Sequence, residues 1–277
     1  MPDNKTSPLN RLSSLALGLC KMPPGPKRIL IAFSYGVVCQ TLFALAVGVM
    51  IAAMFFGMTE SFGAVPKPWS YVANLFLVLQ FPLMHSILLS KRGSRLLNFL
   101  APSRYAETLN TTSYAIFASV QLLALFALWT PSGVVWWRAE GYLFYVICGF
   151  YASSWMLLIK ASYEAGAEVQ SGALGWMSLA QDKKPEFPDM PTEGLFSIIR
   201  QPIYVSFALT LWTVPVWTPD QLALAIVFTA YCLFAPKLKE TRFEKRYGDR
   251  FRAYRNKVPY ALPCLKGSKY QDSNSTK

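Results

Sequence analysis

ILIAFSYGVVCQTLFALAVGVMIAAMFFGM, residues Ile29–Met58, runs thirty positions without a charged side chain. A helix of that length exceeds the roughly 20 residues needed to cross the hydrocarbon core of a bilayer. It is apolar on every side, which a surface helix of a soluble domain is not. Further charge-free or nearly charge-free runs follow at Trp69–Ser90, Thr111–Trp129, Gly141–Ile159, Ile203–Trp217 and Gln221–Pro236. The last two reach only about 22–24 Å as helices, and Thr218-Pro219-Asp220 joins them, so they read as one tight hairpin. The fold class expected is all-α: a polytopic integral membrane bundle of five to six transmembrane helices. Overall, 53% of the chain is hydrophobic.

The net charge is +12, from 27 Lys and Arg against 15 Asp and Glu. Such a balance first suggests nucleic acid, but its distribution argues for topology instead. Five basic residues precede the first run: Lys5, Arg11, Lys21, Lys27 and Arg28. Four lie between the second and third runs (Lys91, Arg92, Arg95, Arg104), four between the fourth and fifth (Lys160, Lys183, Lys184, Arg200), and twelve from Lys237 onward. The alternate loops hold only Lys67 and Arg138. This is the positive-inside pattern, with both termini expected in the cytoplasm and the basic face against anionic membrane lipid. No nucleic acid partner is expected. The five cysteines, Cys20, Cys39, Cys148, Cys232 and Cys264, form no C-x-x-C pair and read as small buried hydrophobes. Residues 1–28 lack the apolar core and small-residue cleavage site of a signal peptide, so the first span is the expected insertion signal.

The chain therefore divides into a cytoplasmic tail (1–28) with a short amphipathic piece at Leu9–Leu19, four transmembrane helices (29–160), a polar cytoplasmic loop (161–200), a hairpin with a terminal helix (201–263), and a flexible tail (264–277). The aromatic residues Trp129, Trp136 and Trp137 suit an interfacial belt. His85, the one histidine, sits at membrane depth beside Pro82, which interrupts the backbone ladder of its helix. Two readings stay open: a neutral ring that satisfies a freed carbonyl, or a functional group in the membrane. With no Cys, Asp or Glu nearby it gives no metal site.

The most informative polar stretch is Gly194-Leu-Phe-Ser-Ile-Ile-Arg200-Gln201-Pro202-Ile-Tyr204. Pro202 fits the first position of a helix, where its missing N–H is no loss. Gln201 stands where an N-cap would. The helix mouth offers unpaired N–H groups and the positive dipole end beside Arg200, a combination suited to a carboxylate or phosphate. Downstream, Glu240, Phe243, Tyr247, Phe251 and Tyr254 recur at helical spacing and form one aromatic stripe headed by an acid. Gly248 weakens that helix.

Taken together, Arg200, Pro202, Tyr204, Glu240, Tyr247-Gly248, Phe251, Tyr254 and Val258-Pro259 resemble the signature of the membrane-embedded methyltransferase superfamily that includes isoprenylcysteine carboxyl methyltransferase. Ser34-Tyr35-Gly36, Val65-Pro66-Lys67, His85-Ser86 and Leu211-Trp212-Thr-Val-Pro215 are similar to methanethiol S-methyltransferases and NnrU-like membrane proteins, over nearly the whole chain. The resemblance implies S-adenosyl-L-methionine as methyl donor, held in a cytoplasmic pocket between the last hairpin and the terminal helix, with a small thiol such as methanethiol as acceptor. It implies cofactor binding by Arg200, Gln201, Pro202, Tyr204, Glu240, Tyr247 and Tyr254. Arg200 and the helix mouth would take the donor's carboxylate, Glu240 its ammonium or a ribose hydroxyl, and the tyrosines its adenine or sulfonium. Glu240, Arg255 and His85 are the candidate catalytic residues, with Arg255 or Lys239 favouring the thiolate. The alternatives are a lipid acceptor (an isoprenylcysteine carboxylate or a phospholipid amine) and a non-catalytic NnrU-like protein or transporter. This chain departs from the signature at three positions: Gln201 replaces the motif histidine, Lys239 the first acid of a Glu-Glu pair, and Ser206 a glycine.

Overall fold

The computed structural model describes residues 7–263. The tail 264–277 with Cys264, and the first six residues with Lys5, lie outside the described residues. The architecture is an all-α polytopic bundle. Five of its helices are long and apolar enough to cross a membrane: α2 (Pro26–Phe55), α3 (Trp69–Leu88), α5 (Ala106–Leu128), α6 (Gly141–Gln170) and α10 (Pro219–Tyr247). Between and around them lie α1 (Pro8–Gly18), α4 (Lys91–Leu97), α7 (Ala173–Ala180), α8 (Leu195–Ile198), α9 (Pro202–Trp212) and α11 (Asp249–Lys257).

Burial is arranged for a lipid solvent. Large apolar side chains point outward, with Leu30 at 69% exposure, Phe76 at 70% and Met156 at 65%. Small polar residues are inside: Thr112, Ser113, Ser119, Thr210 and Gln221 are almost fully buried. Interhelical contacts between small or hydrogen-bonding side chains are what hold helices together where lipid is as apolar as leucine. One example joins α3 to α5, where Gln121 Nε2 donates to Gln80 Oε1 at 2.7 Å and Gln80 Nε2 to the Gln121 carbonyl at 3.0 Å. The main apolar core runs through Met50, Met54, Phe81, Phe126, Trp155, Leu211 and Phe228. The chain is an integral membrane protein.

One end of the bundle is tied by polar caps. Thr218 Oγ1 accepts the Gln221 N–H at 2.9 Å and donates to the Gly57 carbonyl at 2.6 Å, so the N-cap of α10 also fastens the end of α2. Asp220, in the first turn of α10, accepts from Trp129 Nε1 and the Ser132 N–H. Two short strands, β1 (Trp137–Arg138) and β2 (Val216–Trp217), pair antiparallel at the same end.

Trp129 is buried in the core instead of standing in an interfacial belt, and Cys20 is exposed instead of buried. Three expectations about the helices change as well. The terminal hairpin is not short on both arms: α9 has 11 residues, but α10 has 29 and carries the apolar run straight into the charged tail. Pro215 stops α9 early, whereas α10 continues through Pro236 as one helix. The helix that carries the aromatic stripe is broken at Gly248 (φ 53°, ψ −124°), which ends α10 and starts α11, while Phe243, Phe251 and Tyr254 stay in ring contact across the break. The segment 161–200 is not one loop. Its first ten residues extend α6, which bends at Gly166 (φ 108°), and residues 173–180 form α7, buried against α2 and α5.

Candidate functional site

The end of the bundle opposite β1 and β2 brings the start of α9, the far end of α10 and the segment after α11 to one point. Pro202 opens α9 and is buried. The two residues before it pair by backbone with the tail: the Arg200 N–H donates to the Pro259 carbonyl at 2.9 Å and the Gln201 N–H to that of Tyr260 at 3.1 Å. Arg200 then reaches across to α10. Its Nε donates to Glu240 Oε1 at 2.8 Å and its Nη2 to Oε2 at 3.4 Å, while Nη1 takes the carbonyls of Arg255 and Val258 at 3.0 and 2.6 Å. Its guanidinium also lies 5.5 Å from the centre of the Tyr260 ring. Arg200 is thus a clamp joining three segments, with most of its donors engaged inside the protein.

Gln201 holds the N-cap position, but its side chain does not cap the helix. It turns toward α10, where Nε2 donates to Glu240 Oε1 at 2.7 Å. Its residue is 3% exposed, and its Oε1 has no hydrogen-bond partner among the described residues. A buried amide acceptor left unpaired carries a desolvation penalty of about 1–3 kcal/mol, so it is an open place for a donor group. Tyr254, on α11, donates its hydroxyl to the Phe196 carbonyl at 2.6 Å. Burial pushes its phenol up to about 12; the positive Arg200 pulls against this and the Glu240 carboxylate adds to it.

These residues enclose a small cavity. Arg200, Gln201, Lys239, Glu240, Tyr254 and Pro191 lie on its wall, and its volume is about 10 Å³, room for about one water. Lys239 stands at one side, its Nζ 5.7 Å from the ring centre of Phe196, 5.9 Å from that of Tyr204 and 5.3 Å from that of Phe243. Those three rings come from α8, α9 and α10, which no spacing rule along the chain connects.

Pro191 also borders a far larger cavity of about 1060 Å³ on the other side of the 183–194 segment. Its walls are α1, the end of α6, α7 and that segment, with Arg250 of α11. Glu168 is 2% exposed; its Oε1 accepts from Arg11 Nε at 3.1 Å and its Oε2 has no hydrogen-bond partner among the described residues. Glu164 accepts the Leu195 N–H at 2.8 Å and Lys160 Nζ at 2.7 Å. Gly194 (φ 59°) makes this possible, since a Cβ there would run into the Glu164 carboxylate. Asp189 and Arg250 close the far wall at 2.6 Å. Burial would raise the Asp189 carboxyl, but the Arg250 hydrogen bond, the Met190 N–H and the positive charges of Arg250 and Arg246 outweigh it and hold it below its ordinary value.

The structure thus brings Arg200, Gln201, Pro202, Glu240 and Tyr254 together, with Tyr204 joined through Lys239. Arg255 contributes its carbonyl to Arg200, while its guanidinium pairs with Glu244 at 3.0 Å. Tyr247 packs edge-on against Phe243 and lines neither cavity. His85 stands apart. Its Nδ1 is 2.8 Å from the Tyr114 hydroxyl, and its ring lies among Phe81, Tyr114 and Tyr231. Sequence reasoning missed the large cavity and its acids. The one signal was the length of the polar insertion between α6 and α9, since long segments of this kind are often functional.

Among curated proteins, the chain is similar to enzymes named methanethiol S-methyltransferase. It is 24% identical to that of Pseudomonas deceptionensis over 200 residues, 72% of this chain and 75% of the relative. It is 24% identical over 238 residues to methanethiol S-methyltransferase 1 of Bradyrhizobium diazoefficiens, 84% of this chain and 82% of the relative. Nurim of Rattus norvegicus is 28% identical over 172 residues, 57% of this chain and 62% of that protein. No family model matches the chain, and no solved structure matches it.

Proposed function

We propose that the chain is a membrane-embedded methyltransferase that transfers a methyl group from S-adenosylmethionine to a small thiol, with methanethiol as type acceptor and dimethyl sulfide as product, a reading its similarity to enzymes named methanethiol S-methyltransferase supports. The observation that carries this reading is the buried, unpartnered Oε1 of Gln201 beside the Glu240 carboxylate. Together they offer acceptors to an ammonium or a hydroxyl, the two kinds of donor group that S-adenosylmethionine carries at its amino-acid end and its ribose. The large cavity bordering Pro191 has room for a nucleoside, and the acids Glu164 and Glu168 on its wall suit hydroxyl or amino groups. When bound, S-adenosylmethionine supplies a methyl group activated by a positive sulfonium.

The chain's own residues orient rather than do acid–base work. Gln201 donates and accepts hydrogen bonds but takes up no proton. Arg200 holds the Glu240 carboxylate in one orientation through two bonds and anchors both to the tail. With those donors engaged, Arg200 serves the site by fixing Glu240 more than by gripping a carboxylate. Positioning of this kind can contribute several kcal/mol, up to about 7–11 kcal/mol at best. A thiol is only a few per cent ionised at neutral pH; the positive Lys239 on the cavity wall favours its thiolate. The basic excess at the site's end of the bundle supports an orientation with both termini in the cytoplasm.

The test is methyl transfer by the full-length protein in nanodiscs. With S-adenosylmethionine and methanethiol, dimethyl sulfide accumulates in the headspace in step with S-adenosylhomocysteine. Methylation of an isoprenylcysteine or a phospholipid amine in place of methanethiol would change the acceptor and keep the reaction type. No S-adenosylhomocysteine with any of these acceptors would overturn the reading.

A further inference from the structure

We propose that the ammonium of Lys239 is an internal occupant of a cation seat, and that the sulfonium end of the methyl donor takes this seat by displacing it. The proposal rests on the methyltransferase reading above and adds to it the element that recognises the donor's charge.

Three ring faces surround the Lys239 Nζ at 5.3–5.9 Å from their centres. Each lies inside the distance of about 6 Å at which an aromatic quadrupole attracts a cation. Three rings around one charge is the arrangement that recognises quaternary ammonium groups. Lys239 makes no ion pair among the described residues. The adjacent Glu240 is turned to Arg200 and Gln201 and so adds negative potential at the seat without neutralising its occupant. Phe196 and Phe243, with Lys239 and Glu240, also border the small cavity that holds about one water. The cavity is small where the lysine side chain occupies it. A flexible four-carbon stem lets the ammonium leave without moving the backbone.

This arrangement also handles the product. Methyl transfer removes the positive charge from the donor's sulfur and leaves a neutral thioether. The rings then have no ligand cation to hold, and the Lys239 ammonium returns to them. The occupant thus competes with the charged donor and not with the uncharged product.

Calorimetry on the full-length protein in nanodiscs tests this with two ligands that differ in that charge. Lys239→Ala tightens S-adenosylmethionine by about tenfold, the scale of one desolvated cation–π contact, and leaves S-adenosylhomocysteine nearly unchanged. Lys239→Arg, which keeps a cation in the seat, gives no gain. If S-adenosylhomocysteine binds the native chain but S-adenosylmethionine gains nothing from Lys239→Ala, or both ligands gain alike, the proposal is overturned and the methyltransferase reading stands. If neither ligand binds either protein, both fall. Should Lys239→Ala not fold, Lys239→Leu keeps an apolar side chain without the charge and serves the same measurement: it tightens S-adenosylmethionine and leaves S-adenosylhomocysteine nearly unchanged, and no gain, or an equal gain of both, overturns the proposal.

Discussion

Arg200 and Glu240 are forty residues apart in sequence and meet at 2.8 Å, with side chains only 11% and 14% exposed. The pair joins the start of α9 to α10, and through the carbonyls of Arg255 and Val258 it fastens the end of the chain to both. Removing one partner of a buried pair leaves the other charge uncompensated, at a cost of about 3–5 kcal/mol. Arg200→Ala is therefore expected to lower the apparent thermal midpoint by several degrees. A Glu240→Gln change keeps one carbonyl oxygen for Arg200 Nε and Gln201 Nε2 but leaves the Arg200 charge uncompensated, so it should lower the midpoint as well. Differential scanning fluorimetry on the detergent-solubilised protein reads both; an unchanged midpoint for Arg200→Ala would remove the clamp.

Tyr254 gives the site a pH signature. Its phenol is raised to about 12 in the fold against an ordinary value of 10. A raised group contributes stability that is complete below its unfolded pKa and is lost as pH climbs through the folded one. The hydroxyl's bond to the Phe196 carbonyl, worth about 1 kcal/mol, is thus intact at neutral pH, and the stability tied to the protonated phenol declines between about pH 10 and 12 as the unfolded phenol ionises first. The thermal midpoint of the native chain should fall more steeply across that window than that of Tyr254→Phe. Parallel curves would mean that the phenol does not carry the effect.

Gly194 is held at φ 59° against the Glu164 carboxylate. Alanine there meets both a disfavoured backbone region and a collision, which together cost about 1–3 kcal/mol. The Leu195 N–H···Glu164 bond should break and the 183–194 segment loosen. Limited proteolysis should then cut Gly194→Ala within that segment at a protease level that leaves the native chain whole. Equal resistance would show that the close approach does not hold the segment.

The membrane bundle was legible because a charge-free run of thirty residues has one physical use. Its ends were less legible. The α6 helix continues past Lys160 since Ala161–Gln170 packs against the short helices below the membrane, and burial there comes from tertiary partners rather than from periodicity. The length of α10 was hidden because its apolar half and its charged half read as two elements. At the site, Arg200, Gln201, Glu240 and Tyr254 were named by resemblance to a signature. Their meeting point depends on the tail returning to Arg200 and Gln201 through Pro259 and Tyr260, which local sequence does not encode. The surroundings of Lys239 were out of reach for the same reason: Phe196 and Tyr204 approach it only after α8 and α9 dock on α10.

The donor site is tested most directly by calorimetric binding of S-adenosylhomocysteine to the native full-length chain and to Gln201→Leu. That change removes the open acceptor and the bond to Glu240 while keeping the size of the side chain. Affinity should fall about tenfold, the scale of a lost hydrogen bond to a charged group, with the thermal midpoint near the native one. Binding of equal strength to both proteins would contradict a donor site at Gln201 and Glu240.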